Sequence, residues 1–216
     1  MFGVGVNLIN WAGRMSTDRR NEGQLVCDVL GLESLVDEIT YKKACTEAAT
    51  GGGMVTDSAI LGPFFRTDAP VREKGATIHI TKAKGAEDVF FYGRVVDAKS
   101  GMPLVGASVD VWQASTNGNT PPNPPRLSPA STERLIRICG VPGMYEQQDP
   151  EQAEHNLRGK FYTDANGEYA FYTIRPTPYP IPFDGPAGKL LQLLDRHPYR
   201  PAHIHFIVRG IHTSRW

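Results

Sequence analysis

The sequence predicts a mostly β protein, a β-sandwich domain preceded by a small α-helical N-terminal region. Three observations carry this. Short alternating runs recur between Thr77 and Val208 at sandwich-like spacing. Glycine (22) and proline (17) are abundant, which favours turns over long helices. Ahead of these runs, apolar residues recur instead at three- and four-residue steps.

The helical stretch runs from about Leu8 to Ala48 and is marked by Met15, Val26, Val29, Leu30, Leu32, Leu35, Val36 and Ile39. Thr17 and Asp18 are candidate caps, Gly31 is a candidate stop, and Gly51-Gly52-Gly53 ends the pattern. Thr77 to Thr81 alternates and reads as a strand, and Val89 to Val96 reads as a buried strand that ends at the Asp97–Gly101 turn. Ala107 to Trp112 alternates again. Lys160–Thr163 and Glu168–Ile174, either side of Asp164-Ala165-Asn166-Gly167, read as a hairpin. Pro176, Pro178, Pro180 and Pro182 exclude a central strand, because each removes a ladder donor; the segment is a stiff loop that presents Tyr179. A short helix follows from Lys189 to Asp195, then a last alternating strand from Ala202 to Val208. The expected organisation is a helical region over 1–75 and a β-sandwich domain over 76–216. Residues 119–143 are proline-rich, fit neither period, and stand out as an insertion.

Lys+Arg and Asp+Glu both number 23, so no net field draws the chain to nucleic acid or an anionic membrane. Cys27, Cys45 and Cys139 are odd in number and form no CxxC pair, which points to a reducing, cytoplasmic setting. Met1 to Gly13 is apolar, but no basic residue precedes Arg14, which argues against a secretory signal. No apolar run has the length of a membrane span.

The sharpest local chemistry is His203-Ile204-His205. Side chains alternate faces along a strand, so both imidazoles point the same way and make half of a metal site. Such a pair alone is more often two half-exposed histidines. Tyr179 alone is more often a packing residue with a bonded hydroxyl, and Arg200 alone a surface arginine.

Taken together these residues say more. Residues 179–191, YPIPFDGPAGKLL, and 196–206, RHPYRPAHIHF, resemble the signature of intradiol ring-cleavage dioxygenases of the catechol and hydroxyquinol 1,2-dioxygenase type. Residues 61–66, LGPFFR, are similar to another segment of that family, as are 93–97, GRVVD, and 109–114, VDVWQA. So is the run 156–161, NLRGKF, with Thr163-Asp164 and Gly167-Glu168-Tyr169. The resemblance implies ferric iron, Fe(3+), held by Tyr145, Tyr179, His203 and His205. It implies Arg200 as the catalytic, substrate-binding arginine, and Leu61 and Pro63 as substrate-pocket positions. Tyr179 is implied to leave the metal and take a substrate proton. The implied activity is cleavage of catechol or hydroxyquinol by O2, to a muconate or maleylacetate product, in aromatic catabolism. A homodimer is implied, with lipid bound in the N-terminal helical region. Protocatechuate enzymes lack that long helical region.

The chemistry suits the residues. Ferric iron is hard and prefers anionic oxygen. A bound cation lowers a phenol's pKa, so the tyrosines become phenolates. Two phenolates and one hydroxide balance three positive charges, which lets the site sit in a dry pocket.

Two departures from the family pattern stand out. Relatives pass from the WQA strand to the Gly-x-Tyr loop within a few residues, so 119–143 reads as a retained intron or gene-model artefact; a transcript lacking it confirms that, and one containing it refutes it. Relatives also continue past the HxH strand with further strands and a glutamine, whereas the sequence here ends at Trp216, the expectation being a truncated form. Two competing classes have some support. Gly93-x-Val95-x-Asp97 with Gly101-x-Pro103-Leu104-x-Gly106-Ala107 also resembles non-catalytic transthyretin-like modules, but that leaves Tyr179, Arg200, His203 and His205 unexplained. A cupin-like oxygenase adds a carboxylate and more histidines, a pattern that His79, His155, His197 and His212 do not make.

Overall fold

A computed structural model of the chain describes residues 2–18, 20–49, 55–115 and 143–211. Three helices replace the one helical stretch: α1 (Phe2–Met15), α2 (Glu22–Val29) and α3 (Leu32–Ala49). Neither Thr17 nor Asp18 caps α2. Asn21 does, its side-chain oxygen accepting the Gln24 N–H at 3.0 Å, because Thr17 and Arg20 are tied into a turn of their own just before it. Gly31 stands at φ +78° immediately after α2, the left-handed stop that its position predicts.

The sandwich has two sheets. β1 (Asp88–Arg94) pairs antiparallel with β4 (Glu168–Ile174). The second sheet has the order β3-β2-β7, with β2 (Ser108–Gln113) flanked antiparallel by β3 (Arg158–Tyr162) and β7 (Ile204–Arg209). Between the sheets lie Val109, Val111, Phe161 and Phe171, with Phe91 and Phe206 packed against them. A two-residue ladder joins β5 (Tyr179–Pro180) to β6 (Tyr199–Arg200), and α4 (Pro186–Leu193) runs between them.

Three local expectations need correction. The hairpin is not one: β3 and β4 flank the 164–167 turn, but β3 pairs with β2 and β4 with β1, so the chain crosses from one sheet to the other. The turn itself forms as expected, and the partners are decided by which apolar faces close the core. Thr77 to Thr81 is no regular strand. It crosses between sheets, Ile78 donating to the Tyr172 carbonyl and accepting from the Leu157 N–H, both at 2.9 Å. β1 is half-buried rather than buried: Phe91 points inward against Phe171 and Phe206, while Phe90 and Tyr92 face outward.

The helical region is bolted to the sandwich by charge. Glu22, at the start of α2 and fully buried, accepts the Ala187 N–H in the first turn of α4 at 3.1 Å. Arg20 bridges Glu22 and Asp184 at 2.8 Å each. A Cβ at Gly185 would overlap the Glu22 carboxylate and one at Gly188 the Phe183 backbone, so part of the DGPAG run serves this docking. Residues 70–72 already pair with β3, Lys160 donating to the Pro70 carbonyl and Arg72 to the Lys160 carbonyl, both at 2.9 Å.

The insertion lies outside the described residues except for Gly143. Its flanks are informative. Ser115 and Met144 bond each other as an antiparallel bridge, at 2.9 and 2.8 Å, so the intervening chain leaves and re-enters at one point. Tyr145, two residues past the insertion, is 1% exposed within the core. Cys27 and Cys45 are free thiols, and Cys139 lies outside the described residues. No helix of the described chain is long and apolar enough to cross a membrane.

Candidate metal centre

Three segments carrying four side chains meet at one end of the β3-β2-β7 sheet. β7 and the residue before it bring His205 and His203. Tyr145 follows the Ser115–Met144 bridge, and Tyr179 begins β5. The Tyr145 hydroxyl stands 3.4 Å from His203 Nε2, which is 3.0 Å from His205 Nε2. The two phenol rings meet edge to face, with centroids 4.8 Å apart. The Tyr179 ring lies 5.6 Å from that of His203. Both tyrosines and both histidines named from the sequence are therefore in one cluster.

The histidine tautomer follows from its partner. His203 Nδ1 lies 2.6 Å from the Pro201 carbonyl, which only accepts. Nδ1 therefore carries the proton, and the Nε2 lone pair faces the cluster, as a metal-ligating histidine requires. Burial lowers the pKa of both imidazoles, that of His205 to about 3, so both are neutral donors. Burial pushes both phenols well above the ordinary tyrosine value, so without a cation they stay protonated. A bound multivalent cation reverses that preference. Two neutral nitrogens and two ionisable oxygens, in a pocket too dry for uncompensated phenolates, fit a hard transition-metal ion such as Fe(3+). The two imidazole nitrogens, 3.0 Å apart, are close enough that both would hold one ion.

Aromatic walls hold the donors. Trp112 lies parallel to His205 with centroids 4.6 Å apart, and Phe64 stacks on Tyr145 at 4.5 Å. The register explains the first contact, because Trp112 on β2 faces His205 on β7. Gly62, at φ +72°, brings the LGPF turn against His205; a Cβ there would lie 3.8 Å from the imidazole. Of the two pocket residues expected in that turn, Leu61 is exposed. Pro63 lines a cavity of about 220 Å³ with Phe64, Met144 and Ile181, rather than with the four donors.

Arg200 sits opposite Tyr179 in the β5–β6 ladder, close enough for its charge to depress both histidines. Its guanidinium pairs with Asp28 of α2, a nearly buried carboxylate. Sequence reasoning assigns no role to Asp28. Glu22, Leu25 and Asp28 form the buried face of α2 at three-residue spacing. Two of the three are charged, so an apolar pattern passes over them. Arg158, Glu146 and the Trp112–His205 stack also escape it. Arginine is rarely buried, and nothing in the NLRG run marks Arg158 as 2% exposed.

The comparisons with known proteins bear on this arrangement. Residues 2–48 match the family model described as catechol dioxygenase N terminus, and residues 135–215 the one described as dioxygenase. The chain is 43% identical over 205 residues to the intradiol ring-cleavage dioxygenase prcA of Aspergillus niger, covering 95% of this chain and 56% of that protein. It is 44% identical over 213 residues to the catechol 1,2-dioxygenase of Candida albicans, covering 97% and 59%. Among solved structures, the hydroxyquinol 1,2-dioxygenase of Pseudomonas putida DLL-E4 superposes with a TM-score of 0.71 at 33% identity, covering 97% of this chain and 60% of that one. The chain thus spans 56% to 60% of the length of these relatives. With the helical region, the sandwich and the four converging donors in place, the chain belongs to the intradiol ring-cleavage dioxygenase family.

Proposed function

We propose that this chain is a non-haem iron intradiol dioxygenase that cleaves catechol or hydroxyquinol with O2, incorporating both oxygen atoms. The convergence of Tyr145, Tyr179, His203 and His205 in a buried aromatic cage is the observation that carries the reading. Bound Fe(3+) supplies Lewis acidity and a template for the diol and dioxygen. The residues do the rest. His203 and His205 stay neutral and hold the ion without adding charge. Tyr179 is the proton carrier, taking up one of the two diol protons at its oxygen. Arg200, beside Tyr179, stabilises negative charge that builds on the ring. Cleavage between the two hydroxyl-bearing carbons gives a muconate from catechol and maleylacetate from hydroxyquinol, as aromatic catabolism requires.

The helical region serves a homodimer. Ile9, Leu32, Leu35, Val36 and Ile39 are exposed on α1 and α3, an apolar surface suited to a second copy with lipid between them. The organisation into a helical region over 1–75 and a sandwich over 76–216, and a cytoplasmic setting, belong to the same reading.

The test is direct. The chain is expressed, its iron counted, and its visible spectrum recorded before and after catechol or hydroxyquinol is added under nitrogen. A red-to-purple tyrosinate band that shifts with substrate, followed by ring cleavage when oxygen enters, is the expected result. A folded, colourless protein that binds neither iron nor diol refutes the reading.

A further inference from the structure

Arg158 is a charged residue in the wall of the metal centre to which the catalytic reading gives no task. In the β3-β2-β7 sheet, Arg158 faces Trp112 and Trp112 faces His205. Directly opposed residues project to the same side of a sheet, so the three side chains form a row. The far end of the row meets the Tyr145 turn. Arg158 Nε donates to Glu146 Oε1 at 2.6 Å, and its Nη2 donates to Gln147 Oε1 at 2.6 Å. The side chains of Arg158 and Glu146 are 2% and 4% exposed. Arg66 reaches the same Glu146 oxygen from the solvent side at 3.2 Å. Two further bonds finish the turn: the Tyr145 N–H donates to Gln148 Oε1 at 3.0 Å, and Gln152 Nε2 donates to the Met144 carbonyl at 3.0 Å.

We infer that Arg158 is a positioning residue for the metal centre: by clasping Glu146 and Gln147 it fixes the turn that aims Tyr145 at the two histidines. This rests on the reading of Tyr145 as an iron ligand. Tyr145 has no regular secondary structure of its own, and it directly follows the bridge where the chain re-enters the fold. A ligand on such a turn is only as well placed as the residues after it. Glu146 and Gln147 are those residues, and a buried guanidinium holds both. The fork geometry of arginine makes two directed bonds at once, which a lysine cannot reproduce. A buried ion pair is a weak source of stability, because desolvation offsets most of the attraction. Its value here is orientation.

The experiment uses the full chain, wild type beside Arg158→Gln, Arg158→Lys and Glu146→Gln. Bound iron, iron release to a chelator, the tyrosinate charge-transfer band and the melting temperature are measured on each. Loss of a residue that orients a ligand weakens metal binding about 10- to 100-fold. That loss is expected for Arg158→Gln and Glu146→Gln, with a shifted, weaker band; Arg158→Lys recovers part of it. If both neutral variants melt earlier yet keep wild-type iron retention and an unshifted band, the role is structural and the inference fails. If Arg158→Gln does not fold, Glu146→Gln and Arg158→Lys decide by the same criteria. A colourless wild-type chain overturns the iron reading and takes this inference with it; a coloured wild type with unaltered variants overturns the inference alone.

Discussion

Two clusters among the described residues hold several metal-capable side chains, and they differ in burial and in charge balance. At the sandwich end, Tyr145, Tyr179, His203 and His205 are at least half-buried and lie against one another. On the surface, Asp68, Glu154 and His155 bring their ligand atoms within 4.8 Å of one another. Judged by residue type alone, the surface cluster is the stronger cation candidate. Yet Arg66 already stands among its carboxylates, 2.6 Å from Asp68 and 3.1 Å from Glu154, and both acids are more than half exposed. The charge there is balanced by a side chain and by water. In the buried cluster burial dominates and opposes ionisation of both phenols, and the Arg158 charge only partly offsets it at Tyr145. Buried ionisable oxygens need a counter-charge before they can ionise, whereas surface carboxylates paired with an arginine already have one.

Four measurements break or sharpen this contrast. The largest effect is expected from the buried donors: His205→Ala or Tyr145→Phe abolishes stoichiometric iron and the visible band, whereas a variant that stays coloured breaks the assignment. Next comes Asp28→Asn. It frees Arg200 from its partner on α2, and a fall in kcat of about tenfold, with iron and band intact, is expected for a group that stabilises charge indirectly. Unchanged kinetics beside a lowered melting temperature would make the pair a structural link only. Third, Asp68→Asn with Glu154→Gln leaves iron content unchanged and stability within about 0.5 kcal/mol, as surface changes do; lost iron would move the site to the surface. The smallest effect concerns pH. Asp164, in the turn between β3 and β4, has its pKa held down to about 2, chiefly by its bond from Lys74 and then by backbone N–H groups. Its folded value lies below the unfolded one of about 3.9, so its contribution is present above pH ~4 and lost as pH falls toward 2. An acid titration of unfolding should show a slightly shallower loss over that window in Asp164→Asn. An equal slope removes Asp164 from the account.

The contrast also shows what a linear reading can find. The histidine pair is legible because strand period alone puts His203 and His205 on one face. Tyr179 is legible as a residue on a proline-stiffened loop, although its role comes from family resemblance. Tyr145 has no local signal, since its place depends on a turn held by Arg158, Gln148 and Gln152. The 164–167 turn is legible and its strand pairing is not: a turn motif specifies local backbone, while sheet partners are chosen by burial of distant faces. Charged residues inside the fold, Glu22, Asp28 and Arg158, are invisible to any pattern that equates burial with apolarity.

The sequence by itself determined the class of fold, the histidine pair and, through its motifs, the family. Those properties rest on short-range periodicity and on residue types that chemistry restricts. Only the tertiary structure decided that Arg200 answers to a carboxylate on α2 and that Arg158, Trp112 and His205 stand in one row. It also decided that Ser115 and Met144 close on each other across the insertion. Each of these joins residues far apart in the chain, and such contacts exist only once the two sheets and the helical region have buried their faces against one another.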